Sequence, residues 1–90
     1  MTSLCDPTVA CPVSLPHDRM DGDLRQFSRA TLFRLDDAVR DARRGQPSTF
    51  RLAKKHLPLT TLALYESQHG ELNIQVAESG MHHLVFVALR

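Results

Sequence analysis

Cysteine is scarce in this sequence. Cys5 and Cys11 are the two in 90 residues, and both fall in the first twenty. A stretch that reads as core and holds no cysteine argues against a secreted disulfide scaffold. A bridge between these two would close a very short loop and stabilise little. Long apolar runs are missing too, since nothing approaches the roughly 20 residues of a membrane span. The N-terminus has neither the basic start nor the apolar stretch of a secretory signal. Charge of one sign is not in excess: eleven Lys/Arg against ten Asp/Glu leave a net +1, too little for the whole chain to act as a polyanion binder. The expectation is a cytoplasmic protein with no membrane insertion.

Catalytic signatures are lacking as well. No Gly-x-Ser-x-Gly elbow, glycine-rich phosphate loop or His-Glu-x-x-His occurs. Soft metal ligands exist in Cys5, Cys11, His17, His56, His69, His82 and His83, but a structural zinc site wants close pairs. The cysteines are six residues apart, and adjacent His82 and His83 face opposite sides of a strand. Asp37 and Asp41 share a helix face, yet Arg34, Arg40 and Arg44 surround them, which describes a solvated ion-pair network. The chain therefore reads as no enzyme, with no cofactor and no metal.

What is present is an α+β pattern of single-domain length. Residues 1–20, with Pro7, Pro12 and Pro16, show no helical or strand period and read as a disordered leader. Such a terminus is either simply loose or an export segment. Residues 21–90 read as one α+β domain: one long N-terminal helix packed on a small antiparallel sheet of three to four strands. The helix is expected over 21–44. Asp21 or Asp23 can cap it, and Leu24, Phe27, Leu32, Leu35, Val39 and Ala42 form its apolar stripe. Gly45 and Pro47 stop it.

Beyond Pro47 the period changes to two. Thr49–Ala53 fits a short strand, and Lys54-Lys55-His56 is a polar break. Residues 61–77 are expected to form a hairpin around Ser67–Gly70, because Leu62 and Leu64 alternate with Ala63 and Tyr65, and Leu72, Ile74 and Val76 alternate with Asn73, Gln75 and Ala77. Ser79-Gly80 turns the chain again. His82–Leu89 is apolar on both faces, a pattern that fits a buried strand or a helix. A core this small raises the expectation of a partner or of a homo-dimer.

The stretch Leu57-Pro58-Leu59-Thr60-Thr61-Leu62-Ala63-Leu64-Tyr65, followed by Gly70-Glu71-Leu72-Asn73-Ile74-Gln75-Val76, resembles the core hairpin of hook- and needle-length control proteins. Those proteins carry the substrate-specificity-switch domain of flagellar and type III secretion systems. The resemblance implies a protein-interaction module that binds a component of the export apparatus. It places the contact surface on the hairpin's outer residues, namely Leu59, Thr60, Ala63, Tyr65, Asn73 and Gln75. Type III secretion chaperones, which also join an N-terminal helix to an antiparallel sheet, are a second resemblance. An alternative of another class is a small nucleic-acid-binding regulator. For that, Arg40, Arg43, Arg44, Arg51, Lys54 and Lys55 would supply phosphate contacts, although no aromatic platform alternates with them.

Overall fold

The computed structural model describes residues 11–20 and 22–90. Four strands and two α-helices follow in the order β1 (Cys11–Val13), α1 (Arg29–Arg43), β2 (Ser48–Ala53), α2 (Leu59–Gln68), β3 (Leu72–Ser79) and β4 (His82–Leu89). The strands form one antiparallel sheet in the order β1-β3-β4-β2. The α+β class is as expected. The arrangement is not one long N-terminal helix ahead of a sheet, because a strand precedes α1 and a second helix lies between β2 and β3.

The first helix begins eight residues later than Asp21. Asp23 instead caps a single 3-10 turn, Leu24–Gln26, and Phe27 leaves that turn in extended conformation. Ser28 is the true N-cap, its Oγ accepting from the Thr31 amide at 3.2 Å. From there Thr31, Leu35, Ala38, Val39 and Ala42 are buried, a helical run of four-, three- and one-residue steps. Leu24 and Phe27 still reach the core, but from outside the helix. Gly45, at φ +86°, closes α1. The Gly45 amide donates to Ala42 and the Gln46 amide to Asp41, the paired bonds of a Schellman motif.

The expected hairpin over 61–77 does not form, because Leu59–Gln68 is α2. Its leucines alternate, but Thr61, Leu62, Ala63, Tyr65 and Glu66 are all buried, and a segment enclosed on most sides has lost the periodicity that separates strand from helix. Pro58 fits ahead of a first helical turn, where no backbone donor is required. Leucine, alanine, glutamate and glutamine then favour the helix. The hairpin that does form joins β3 and β4, with Ser79 opposite His82. Gly80, at φ +59°, is the first residue of the two-residue loop, the place where a II′ turn needs glycine. His82–Leu89 is a strand, and β2 covers the expected Thr49–Ala53.

The expected leader, residues 1–20, lies partly outside the described residues. Within them, Cys11 to Val13 pair with Glu78 to Val76 of β3, and His17–Arg19 forms a 3-10 turn. Cys11 is disulfide-bonded.

Both helices pack on the same side of the sheet. Leu35, Val39 and Ala42 of α1 and Leu62 and Tyr65 of α2 share one cluster with Leu72, Ile74, Val76, Val85 and Val87. Side chains alternate across a strand, so the intervening residues of β3 and β4 project to the opposite side, away from both helices.

Candidate functional site

Register fixes what that second face presents. Phe86 sits in the middle of a row, opposite Gln75 on β3 and Thr49 on β2. The next row runs Arg51, Leu84, Ala77 and Pro12 across all four strands. Asn73 and Ala88 face each other at one end, and His82 and Ser79 at the other. No described residue of this face is a carboxylate. Phe86 is 38% exposed, and Leu84 and Ala88 are half-buried by their neighbours. Phe86 thus stands partly exposed at the centre of the sheet, with no described helix above it, in one apolar patch with Leu84, Ala77 and Pro12.

Both edges of the sheet carry features that hinder strand addition. On β2, the Arg34 guanidinium donates to the Arg51 carbonyl at 3.0 Å, and the basic Lys54–His56 turn follows. On the other side β1 is three residues long and contains Pro12, which has no amide to offer. The β1 ladder stops at Val76, so β3 runs on alone from Leu72 to Gln75. There side chains take the place of a strand. Glu66 Oε2 accepts from the Ile74 amide at 2.6 Å, and Arg90 Nε donates to the Leu72 carbonyl at 2.9 Å.

Glu66 is the focus of this region. It is 5% exposed and projects from α2 beneath the segment that follows β1. Its second oxygen accepts from His17 Nε2 at 2.6 Å. A buried carboxylate must have its oxygens satisfied, and here one is held by a backbone amide and one by an imidazole. That contact ties the 3-10 turn of His17–Arg19 to α2. Where residues 13–17 diverge from β3, a groove of about 810 Å³ opens. Ser14, His17, Asn73, Gln75, Phe86 and Arg90 line it together with the flanks of Pro12 and Val13, so it runs into the uncovered face.

The residues expected at a protein contact are divided by the structure. Asn73 and Gln75 are exposed, on the uncovered face and in the groove. Leu59 and Thr60 are half-buried in the first turn of α2. Ala63 and Tyr65, at 0% and 3% exposure, lie in the interior. The reason is the helix: residues that would have pointed outward from a strand turn inward at helical spacing. The Tyr65 hydroxyl donates to Asp36 at 3.1 Å. Burial, reinforced by that carboxylate, pushes the phenol well above its ordinary range. Sequence reasoning missed Glu66 and His17. A helical reading of 59–68 would have placed Glu66 one turn after Leu62, on the same inward side.

The basic residues are also separated. Arg40, Arg43 and Arg44 lie at the end of α1, around a cleft of about 440 Å³ that includes Asp36, Tyr65 and His69. Arg43 is paired with Glu71 at 2.9 Å and Arg40 with Asp37 at 3.7 Å. Lys54 pairs with Glu78, and Lys55 is exposed in the turn after β2. The two groups stand at opposite ends of β2, roughly 17 Å apart at strand rise. Arg51 alone is on the uncovered face.

Another polar group is buried on the helix side. His83 is opposite Glu78, and its Nδ1 has no hydrogen-bond partner. Burial holds its pKa below the ordinary 6.5, helped by the Lys54 charge and opposed by Glu78. Among the described residues no three His, Cys, Asp or Glu side chains stand together as a metal site. No described helix is long and apolar enough to cross a membrane.

No protein-family model, no curated protein and no solved structure matches this chain.

Proposed function

We propose that the protein is a non-enzymatic interaction module that binds another protein through the uncovered face of its sheet. The observation that carries this reading is Phe86, exposed at the centre of a face with apolar Leu84, Ala77 and Pro12 beside it and no carboxylate among its described residues. Interface cores are apolar, contain aromatic residues and exclude acidic ones, with polar groups at the rim. Thr49, Asn73 and Gln75 supply such a rim. The arginines and lysines around β2 favour this reading over a nucleic-acid interface, because Arg40, Arg43 and Lys54 are paired with carboxylates and the six form no single surface.

An export-apparatus component, the partner implied by the resemblance to specificity-switch domains, is a narrower form of this reading; of the residues that carry the resemblance, 59–65 lie in α2 and 72–76 in β3.

The test is selective loss of a partner. Leu84→Asp with Phe86→Asp places two charges on the uncovered face. Phe33→Asp, at a site 72% exposed on α1, is the control. A protein captured by the wild type and by Phe33→Asp, but lost by the folded double variant, supports the reading. Capture that is indifferent to both changes refutes it.

A further inference from the structure

The geometry points to the groove between Pro12–His17 and the first half of β3 as the seat of an extended, acidic peptide, held by side chains rather than by strand addition. This rests on the protein-binding reading and names the kind of segment that the partner offers.

Shape comes first. From Asn73 to Ala77 the groove floor is strand, so its length is about 13 Å at 3.3–3.4 Å per residue. That accommodates four or five residues of extended chain. The wall opposite is the segment leaving β1, with Ser14 exposed on it and Val13 and Leu15 packed into the core. Phe86 forms an apolar patch on the side toward the uncovered face.

Hydrogen-bonding capacity comes next. A peptide entering the groove cannot extend the sheet in the usual way, because Glu66 occupies the Ile74 amide and Arg90 the Leu72 carbonyl. What remains for a peptide backbone are the side-chain amides of Asn73 and Gln75, each with both a donor and an acceptor, and the Ser14 hydroxyl. These three are exposed. They can satisfy an extended main chain without displacing the caps on β3, which distinguishes the site from a free sheet edge.

Charge then selects the peptide. Three ionisable side chains line the groove: His17, Glu66 and Arg90. The Glu66 carboxylate is buried, with both oxygens engaged by Ile74 and His17. Arg90 is exposed and uses Nε on Leu72, leaving the rest of its guanidinium fork toward solvent. The His17 side chain is 51% exposed and commits Nε2 to Glu66. A carboxylate on the peptide meets a forked donor at Arg90, whereas a lysine at that position meets like charge.

The probe is an acetylated, amidated peptide of alternating valine and glutamate, with an alternating valine–lysine twin as comparison. Both are titrated into the full chain, labelled with nitrogen-15, at moderate salt. The acidic peptide is expected to move the amide signals of Ser14, Asn73 and Gln75 and the ring signals of His17. The lysine twin should bind at least ~10-fold more weakly. Arg90→Glu should reverse that order, and Asn73→Ala with Gln75→Ala should weaken both. Equal binding of the two peptides overturns the assignment. So does the absence of any shift at about millimolar peptide. Shifts confined to Arg51, Leu84 and Phe86, with Ser14 and Asn73 unmoved, also overturn the groove, but they leave the uncovered face standing as a binding surface. Failure of that broader reading is seen separately, in capture that ignores the Leu84 and Phe86 substitutions.

Discussion

Replacing Glu66 by alanine removes an acceptor from beneath β3, and its cost follows from two contacts. The first is the Ile74 amide, a buried donor with Glu66 Oε2 at 2.6 Å. Left without a partner, a buried donor costs about 1–3 kcal/mol. The second is His17 Nε2 on Oε1. That contact is half in water and contributes less, about 0.5–1 kcal/mol. The sum is about 2–4 kcal/mol, against a total of about 5–15 kcal/mol for a domain. In a chain of this length each kcal/mol moves Tm by about 4–8 °C, so Glu66→Ala should melt ~8–32 °C below the wild type. Glu66→Gln is the informative companion. Its amide oxygen can still accept from Ile74, and its NH₂ group can donate to the other tautomer of His17. It should therefore recover most of the loss and cost about 1 kcal/mol. His17→Ala should cost about as little.

Urea unfolding followed by circular dichroism measures all three, and amide exchange at Ile74 reports the bond directly. Exchange at Ile74 should quicken in Glu66→Ala and stay slow in Glu66→Gln. An alanine variant within ~0.5 kcal/mol of the wild type, a size ordinary for neutral surface changes, would refute the view that this carboxylate replaces a missing strand. So would equal losses in the alanine and glutamine variants.

Two more outcomes follow from buried side chains. His83 has a pKa held below 6.5 by burial, so the unfolded chain takes up its proton first. The stability it contributes is complete above 6.5 and is lost as pH falls toward the lower folded value. The urea midpoint should accordingly drop between pH 7 and about pH 5, above the carboxylate range, and His83→Leu should flatten that slope; an unchanged slope counts against the assignment. Tyr65, 3% exposed with its hydroxyl on Asp36, separates the helix from an outward-facing strand. Tyr65→Phe should cost about 1 kcal/mol, while Tyr65→Glu buries a carboxylate and forfeits about 3–5 kcal/mol of aromatic packing, enough to remove the cooperative melt.

The contrast between α1 and α2 shows what was legible in the sequence. Over Thr31–Ala42 one side of the helix is in water, so polar residues interrupt the apolar ones at helical intervals, and Gly45 ends the run with a residue suited to its φ of +86°. β3 is equally plain, because Asn73, Gln75 and Glu78 are solvated while Leu72, Ile74 and Val76 are not. Over Leu59–Gln68 the surroundings are protein on most sides. Thr61 and Ala63 are as buried as Leu62, and the pattern carries no direction. The proposed binding surface was half legible for the same reason. Asn73 and Gln75 were placed correctly outward by the alternation of β3, whereas Tyr65 and Ala63 inherited an outward position from a strand that does not exist. Phe86 lay hidden in a run that is apolar on both faces. It becomes exposed because α1 and α2 pack on a single side of the sheet, a consequence of topology that no local period encodes. Glu66 was obscure in another way. A carboxylate among leucines reads as a solvated interruption until a short β1 leaves the Ile74 amide in need of an acceptor, and that need exists only once the strand order is known.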